Sequence, residues 1–166
     1  LLVAHWHFDH AMDVAGVARK THAVVYGSES TANIARGGDL PEAQIRVIAA
    51  GESRRIGDFG LRVFSTPHSC RRNLIPGAIE APLRRPATFW DYKMGETYSF
   101  LLEHAAGNVL IVPSANIRAE TFEGVKADVV FMAIGELSNR TPRFIHYYWR
   151  EVVERTGAKL VIPIHW

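Results

Sequence analysis

Leu1-Leu-Val-Ala-His5-Trp-His7-Phe-Asp9-His10 decides how this chain is read, because an apolar run stops abruptly at four side chains of metal-ligand type. The apolar run reads as a buried strand that delivers side chains to a turn at its carboxyl end, where a site can rest on a rigid support. If extended geometry continues past Ala4, His5 and His7 share one face, whereas Asp9 and His10 require the chain to bend. A set of polar residues that merely ends a strand and starts a helix is the plainer alternative. It accounts poorly for imidazoles and a carboxylate at this density, since those groups are the usual zinc donors.

Two histidines further along occupy similar positions. His68 follows the alternating segment Leu61-Arg-Val-Phe-Ser65 and a Thr-Pro turn, and His165 follows Lys159-Leu-Val-Ile-Pro-Ile164. The order His-x-His-x-Asp-His, then a histidine after a strand, then a terminal Ile-His resembles the metallo-β-lactamase fold superfamily, over essentially the whole chain. The resemblance implies an α/β (αββα) fold, a β-sandwich flanked by helices. It also implies that His5, His7 and His68 form a three-histidine metal site, with Asp9, His10 and His165 as a second. The family usually adds a bridging aspartate in a turn after an apolar strand. Here that stretch is Val109-Leu-Ile-Val-Pro-Ser114-Ala-Asn, which puts the neutral Ser114 where the carboxylate belongs. Ser114 is therefore expected close to the metals without being a strong ligand, and the second ion to be held less tightly.

The reaction class implied is hydrolysis. Three protein donors leave a fourth tetrahedral position open to a water whose pKa falls to about 7, so hydroxide is available near neutral pH to attack an ester, lactone or phosphodiester. Asp9 and His10 are the expected catalytic pair. Zn2+ fits the donors best, as one ion or two, with manganese or iron as alternatives. Within the superfamily, the Gly-Glu-Thr-Tyr-Ser-Phe segment, the Asp128 to Gly135 strand and the closing Ile-His-Trp resemble lactonase and phospholipase-D-like branches more than antibiotic-hydrolysing members. A metal-binding but non-hydrolytic member of the same fold is the competing reading, with loss of the bridging aspartate as its mark.

Composition restricts the partners. Hydrophobic residues make up 48% and charged residues 22%, ordinary values for a globular domain of 166 residues. A net charge of +2 is too small to argue for nucleic acid, and no apolar stretch is long enough to span a membrane, so a small-molecule substrate is expected. Nothing in the sequence sets an oligomeric state. The single cysteine, Cys70, excludes an internal disulfide framework without settling the compartment, for which the cytoplasm is the default expectation. The chain opens inside a strand without an initiating methionine and stops one residue after His165. It therefore reads as one domain over residues 1–166, a fragment that lacks upstream strands and a short C-terminal end.

Between the donors, helices are expected over Ala11 to Lys20, Ser28 to Arg36 and Phe144 to Thr156, the last with Gly157 at its end. Strands are expected at His22 to Tyr26, Ile45 to Ala49, Leu61 to Ser65, Tyr98 to Glu103, Val109 to Val112, Asp128 to Ala133 and Leu160 to Ile164. Ser69 to Glu96 shows no period and holds several prolines and glycines. Long irregular loops in compact domains are usually functional or disordered. With Arg71, Arg72, Arg84, Arg85, Phe89, Trp90 and Tyr92, it is expected to shape a substrate pocket. Of these, Arg84, Arg85, Trp90 and Tyr92 are the candidate substrate contacts. Cys70 reads as a small buried or reactive thiol, His22, His104 and His146 as surface or core residues, and Glu136 as a turn carboxylate.

Overall fold

The computed structural model describes residues 1–69, 75–93 and 95–166, so the expectations placed on Cys70, Arg71 and Arg72 lie outside the described residues. The chain divides into two compact units, residues 1–49 with 72–96, and residues 50–71 with 97–166.

The first unit is built on a parallel pair, β1 (Val25–Gly27) and β2 (Ile45–Val47), with helices α2 (Val14–Thr21) and α3 (Glu29–Gly37). The amino end zips alongside β1: Tyr26 N–H donates to the Leu1 carbonyl at 2.8 Å and Val3 N–H to the Tyr26 carbonyl at 2.9 Å. That ladder ends there, and the extended geometry does not run through His7. Ala4 bends, His5 and Trp6 are both buried although adjacent, and α1 (Phe8–Ala11) follows at once. The helix expected from Ala11 to Lys20 is thus two helices, broken at Met12 and Asp13. His22 ends α2 in the left-handed region, at φ 56°, which delays β1 to Val25.

Helix α3 begins as the sequence suggests, with the Ser28 side chain accepting from Thr31 N–H at 3.3 Å. Its buried polar residues hold the irregular segment that returns to this unit. Ile79 N–H donates to Ser30 Oγ at 3.0 Å, Asn33 Nδ2 to the Ile79 carbonyl at 2.7 Å, and Leu83 N–H to the Asn33 carbonyl at 2.9 Å. Gly37 is required for this contact, because a Cβ there would lie 1.9 Å from the Leu83 carbonyl oxygen.

The second unit carries a six-stranded sheet in sequence order: β3 (Ser53–Ile56), β4 (Phe59–Ser65), β5 (Tyr98–Glu103), β6 (Val109–Val112), β7 (Val129–Ala133) and β8 (Leu160–Ile164). The first pairings are antiparallel, and β6–β7 and β7–β8 are parallel. Because β4 and β6 both run against β5, strands β4, β6, β7 and β8 share one direction. Their carboxyl ends lie along one edge, where open α/β sheets place ligands.

A helix joins β7 to β8 and packs Tyr148, Val152 and Val153 into a core with Leu101, Leu110, Val112, Val130 and Met132. It begins as α4 (Pro142–Trp149), capped by the Thr141 side chain accepting from Phe144 N–H at 3.2 Å. A π-helical turn at Arg150–Glu154 then interrupts the expected helix. Its wider spacing turns three consecutive residues, Glu151, Val152 and Val153, inward. Gly157 closes it with φ 72°, as glycine does after helix ends.

The architecture is mixed α/β with a sheet flanked by helices, as the resemblance implied. β5, β6 and β8 keep the bounds expected of them, whereas β3 escaped notice because its Ser-Arg-Arg-Ile sequence alternates exposed and half-buried positions. Among the described residues, no helix is long and apolar enough to cross a membrane.

Candidate metal centre

In the first unit, one turn gathers four side chains of metal-ligand type. His7 precedes α1 at φ −54° and ψ 149°, outside the helical region, and its carbonyl accepts from His10 and Ala11 N–H at 2.9 and 3.0 Å. The turn brings His10 back over His5, with ring centroids 4.0 Å apart, while the His5 and His7 rings meet edge to face at 5.0 Å. Asp9 Oδ2 lies 3.3 Å from His10 Nε2. His5 is buried at 2% exposure, His7 and His10 are half-buried and Asp9 is exposed, so the group grades from a dry end to a wet one. Imidazole and carboxylate donors in this density suit zinc, manganese or iron.

The same unit carries the expected substrate residues. Arg84 and Arg85 are exposed, and Trp90 stands 72% exposed at the end of an aromatic row in which Phe8 meets Phe89 at 5.7 Å and Phe89 meets Trp90 at 5.4 Å. Asp91 fixes this row by accepting from Thr88 N–H at 2.7 Å and from its hydroxyl at 2.8 Å. Tyr92 is placed differently, buried in the core with Trp6 and Ile79.

In the second unit, His68, Ser114, Gly135 and His165 all follow the carboxyl ends of the co-directed strands β4, β6, β7 and β8. His165 has φ 50°, a left-handed backbone uncommon outside glycine. Its close approach to β7 depends on Gly135, where a Cβ would lie 2.5 Å from the His165 carbonyl oxygen and 3.1 Å from its Nδ1. Ser114 is fully buried, and its hydroxyl accepts from Ser69 N–H at 2.8 Å. Asn116, Arg140 and Tyr148 also work at this edge, although the sequence marked none of them. Asn116 Nδ2 donates to the His68 carbonyl at 2.9 Å, and the Arg140 guanidinium donates to the Ser69 carbonyl. The buried Tyr148 hydroxyl donates to the Ala133 carbonyl at 3.1 Å and reaches the Ser114 carbonyl at 3.5 Å, tying the ends of β7 and β6 together. Burial pushes its phenol well above the ordinary range, which keeps it a donor.

The other titratable residues behave as their surroundings dictate. His104 Nδ1 accepts from Ala106 N–H at 3.1 Å within a turn, and His146 is exposed on α4. Glu136 accepts from Asn139 Nδ2 at 3.0 Å, a turn carboxylate.

The sequence profile of the beta-lactamase superfamily domain matches residues 1–166. A UPF0173 metal-dependent hydrolase from Pyrobaculum calidifontis is 27% identical over 169 residues, covering 100% of this chain and 64% of that protein, so the chain spans slightly under two thirds of its relative's length. Among solved structures, Igni18, a metallo hydrolase from Ignicoccus hospitalis, superposes with a TM-score of 0.63 at 14% identity, covering 99% of this chain and 62% of that one. The metallo-beta-lactamase fold protein YhfI from Bacillus subtilis gives 0.57 at 15% identity, covering 99% and 62%. At these identities the solved structures speak to the fold alone.

Proposed function

We propose, because this chain belongs to the beta-lactamase superfamily, that it acts as a metal-dependent hydrolase, with His5, His7 and His68 holding one ion and Asp9, His10 and His165 a second. The observation that carries this reading is the turn gathering His5, His7, Asp9 and His10, whose nitrogen and oxygen donors suit Zn2+ and include no thiol. His68 and His165 each follow the carboxyl end of a co-directed strand, the edge at which open α/β sheets place ligands. The relative from Pyrobaculum, itself called a metal-dependent hydrolase, agrees with the activity. When bound, such an ion acidifies a water to about 7 and polarises a carbonyl or phosphoryl oxygen.

The chain's own residues then divide the work. His5, being buried, holds its donor in a dry setting, while the exposed Asp9 and its neighbour His10 stand where a proton can be passed to solvent. The substrate class we assign is an ester, lactone or phosphodiester. The test is a panel of those three on protein stripped of metal and reloaded with Zn2+. Hydrolysis of one class, abolished by chelation and restored by zinc, is expected. Firm zinc binding without turnover on any class would instead favour the non-hydrolytic reading, which Ser114 in place of a bridging carboxylate recommends.

Arg84, Arg85 and Trp90 are proposed to select the substrate. An exposed guanidinium can grip a phosphate or carboxylate through paired hydrogen bonds, and an exposed indole beside Phe89 offers an apolar face. Arg84→Ala, Arg85→Ala or Trp90→Ala is expected to raise KM about tenfold, the equivalent of roughly 1.4 kcal/mol of lost contact. Metal content should stay at the wild-type value. Unaltered kinetics in all three variants would show that this segment is only surface.

A further inference from the structure

Three side chains at the carboxyl edge of the second unit's sheet converge on one short piece of backbone. β4 ends at Ser65, and the Thr66 N–H to Thr97 carbonyl bond at 3.0 Å is the last rung beside it. His68 therefore stands beyond the ladder. Its carbonyl accepts from Asn116 Nδ2 at 2.9 Å. Ser69 N–H donates to Ser114 Oγ at 2.8 Å, and the Ser69 carbonyl accepts from the Arg140 guanidinium. Side chains distant in sequence thus take over the backbone groups that strand pairing no longer satisfies.

The clamp is itself held in place. Asn116 Oδ1 accepts from Ile117 N–H at 3.0 Å, which fixes the amide so that Nδ2 faces His68. The Ser114 carbonyl accepts from Asn116 N–H at 2.7 Å, and Tyr148 secures the same carbonyl from the core side. Ser114 and Ser69 are exposed by only 1% and 4%, so removing the hydroxyl would strand a buried N–H.

We propose that Ser114, Asn116 and Arg140 are positioning residues for His68: they fix the His68–Ser69 backbone so that the imidazole is held ready for a metal ion. This rests on His68 being a ligand, as proposed above. It also gives the residue in the bridging-carboxylate position a different job. Ser114 acts on the backbone next to a donor rather than on an ion. Groups that orient a ligand commonly govern metal affinity by about 10–100-fold, because a loosely held donor must be ordered when the ion binds.

The test is a zinc titration of the stripped protein against a competing chromogenic chelator, run beside thermal unfolding of the same stripped samples. Ser114→Ala and Asn116→Leu are expected to weaken zinc binding by about 10–100-fold, while Ser114→Thr, which keeps the hydroxyl, stays within about threefold of wild type. The combined variant should lose less than the two single losses together, since both act on one strap. If Ser114→Ala fails to fold, Asn116→Leu, at a half-buried position, carries the comparison. His68→Ala separates the two ideas. Weak zinc binding in His68→Ala, with Ser114→Ala and Asn116→Leu near wild type, would overturn the clamp and leave the ligand assignment standing. Wild-type zinc binding in His68→Ala would remove the ligand assignment and the clamp with it.

Discussion

His68→Ala and His5→Ala are each expected to lower zinc affinity by more than about 100-fold, beyond the range typical of groups that only orient a ligand. The reason is donor count. A three-histidine site that loses one member keeps two protein donors, too few to hold zinc tightly with an open position for water. The hydrolysis proposed above should fall at least in parallel, since a bound ion would supply both the acidified water and the polarisation of the substrate oxygen. His5→Ala should also cost folding stability in the stripped protein, because His5 is buried beside Trp6 in the first unit's core, whereas His68 is half-buried and its backbone is held independently of its ring. His146→Ala is the control, an exposed histidine on α4. Elemental analysis and a zinc titration provide the measurement. Wild-type stoichiometry and affinity in either ligand variant would refute the site.

Why the candidate donors were visible in the sequence and the residues bonded around His68 were not is a matter of range. His5, His7, Asp9 and His10 lie within one turn of chain, so spacing alone announces them, even though the strand expected to carry His7 gives way to a bend and α1. The strands behind His165 and Ser114 were equally legible, because β8 and β6 are short apolar runs with clear limits. β3 was not, since an edge strand of Ser-Arg-Arg-Ile lacks an apolar face and is recognised only by its pairing with β4. Asn116 and Arg140 reach backbone groups 48 and 71 residues away, and a side chain bonded to distant backbone leaves no periodic trace. Tyr92, a candidate substrate contact in the sequence, is buried in a cluster with Ile79, which sequence proximity to Phe89 and Trp90 does not reveal. The π turn was hidden for a related reason: the residues from Phe144 to Thr156 suit a helix throughout, and the extra residue per turn shows in bonds such as Arg155 N–H to the Arg150 carbonyl at 2.9 Å.

That π turn buries a carboxylate, and the second unit should be acid-labile because of it. Glu151 is 2% exposed. Burial by itself would raise its carboxyl, but hydrogen bonds from Arg155 at 2.9 Å and from Glu120 N–H at 3.1 Å, with Arg150 adding another, outweigh that and hold it below its ordinary value of 4.5. A carboxyl depressed in the folded state contributes stability that is complete above the unfolded value and is lost as pH falls through the folded one. The loss should therefore begin near pH 4.5 and deepen below it. Glu151→Gln keeps the shape and removes the charge. It is expected to cost about 1.5–3 kcal/mol at neutral pH, the usual worth of hydrogen bonds to a charged group. In a chain of 166 residues that lowers Tm by roughly 2–4 °C per kcal/mol. Arg155→Met should destabilise more than Arg150→Met, since the Arg155 side chain is 33% exposed against 62% for Arg150 and makes the shorter bonds to the carboxylate. Thermal unfolding of wild type and Glu151→Gln from neutral pH down to pH 3.5 decides it: the gap between them should close as the wild-type carboxylate takes up its proton. A gap that stays constant across that range would mean that the Glu151 charge contributes nothing and that the side chain matters only for its shape.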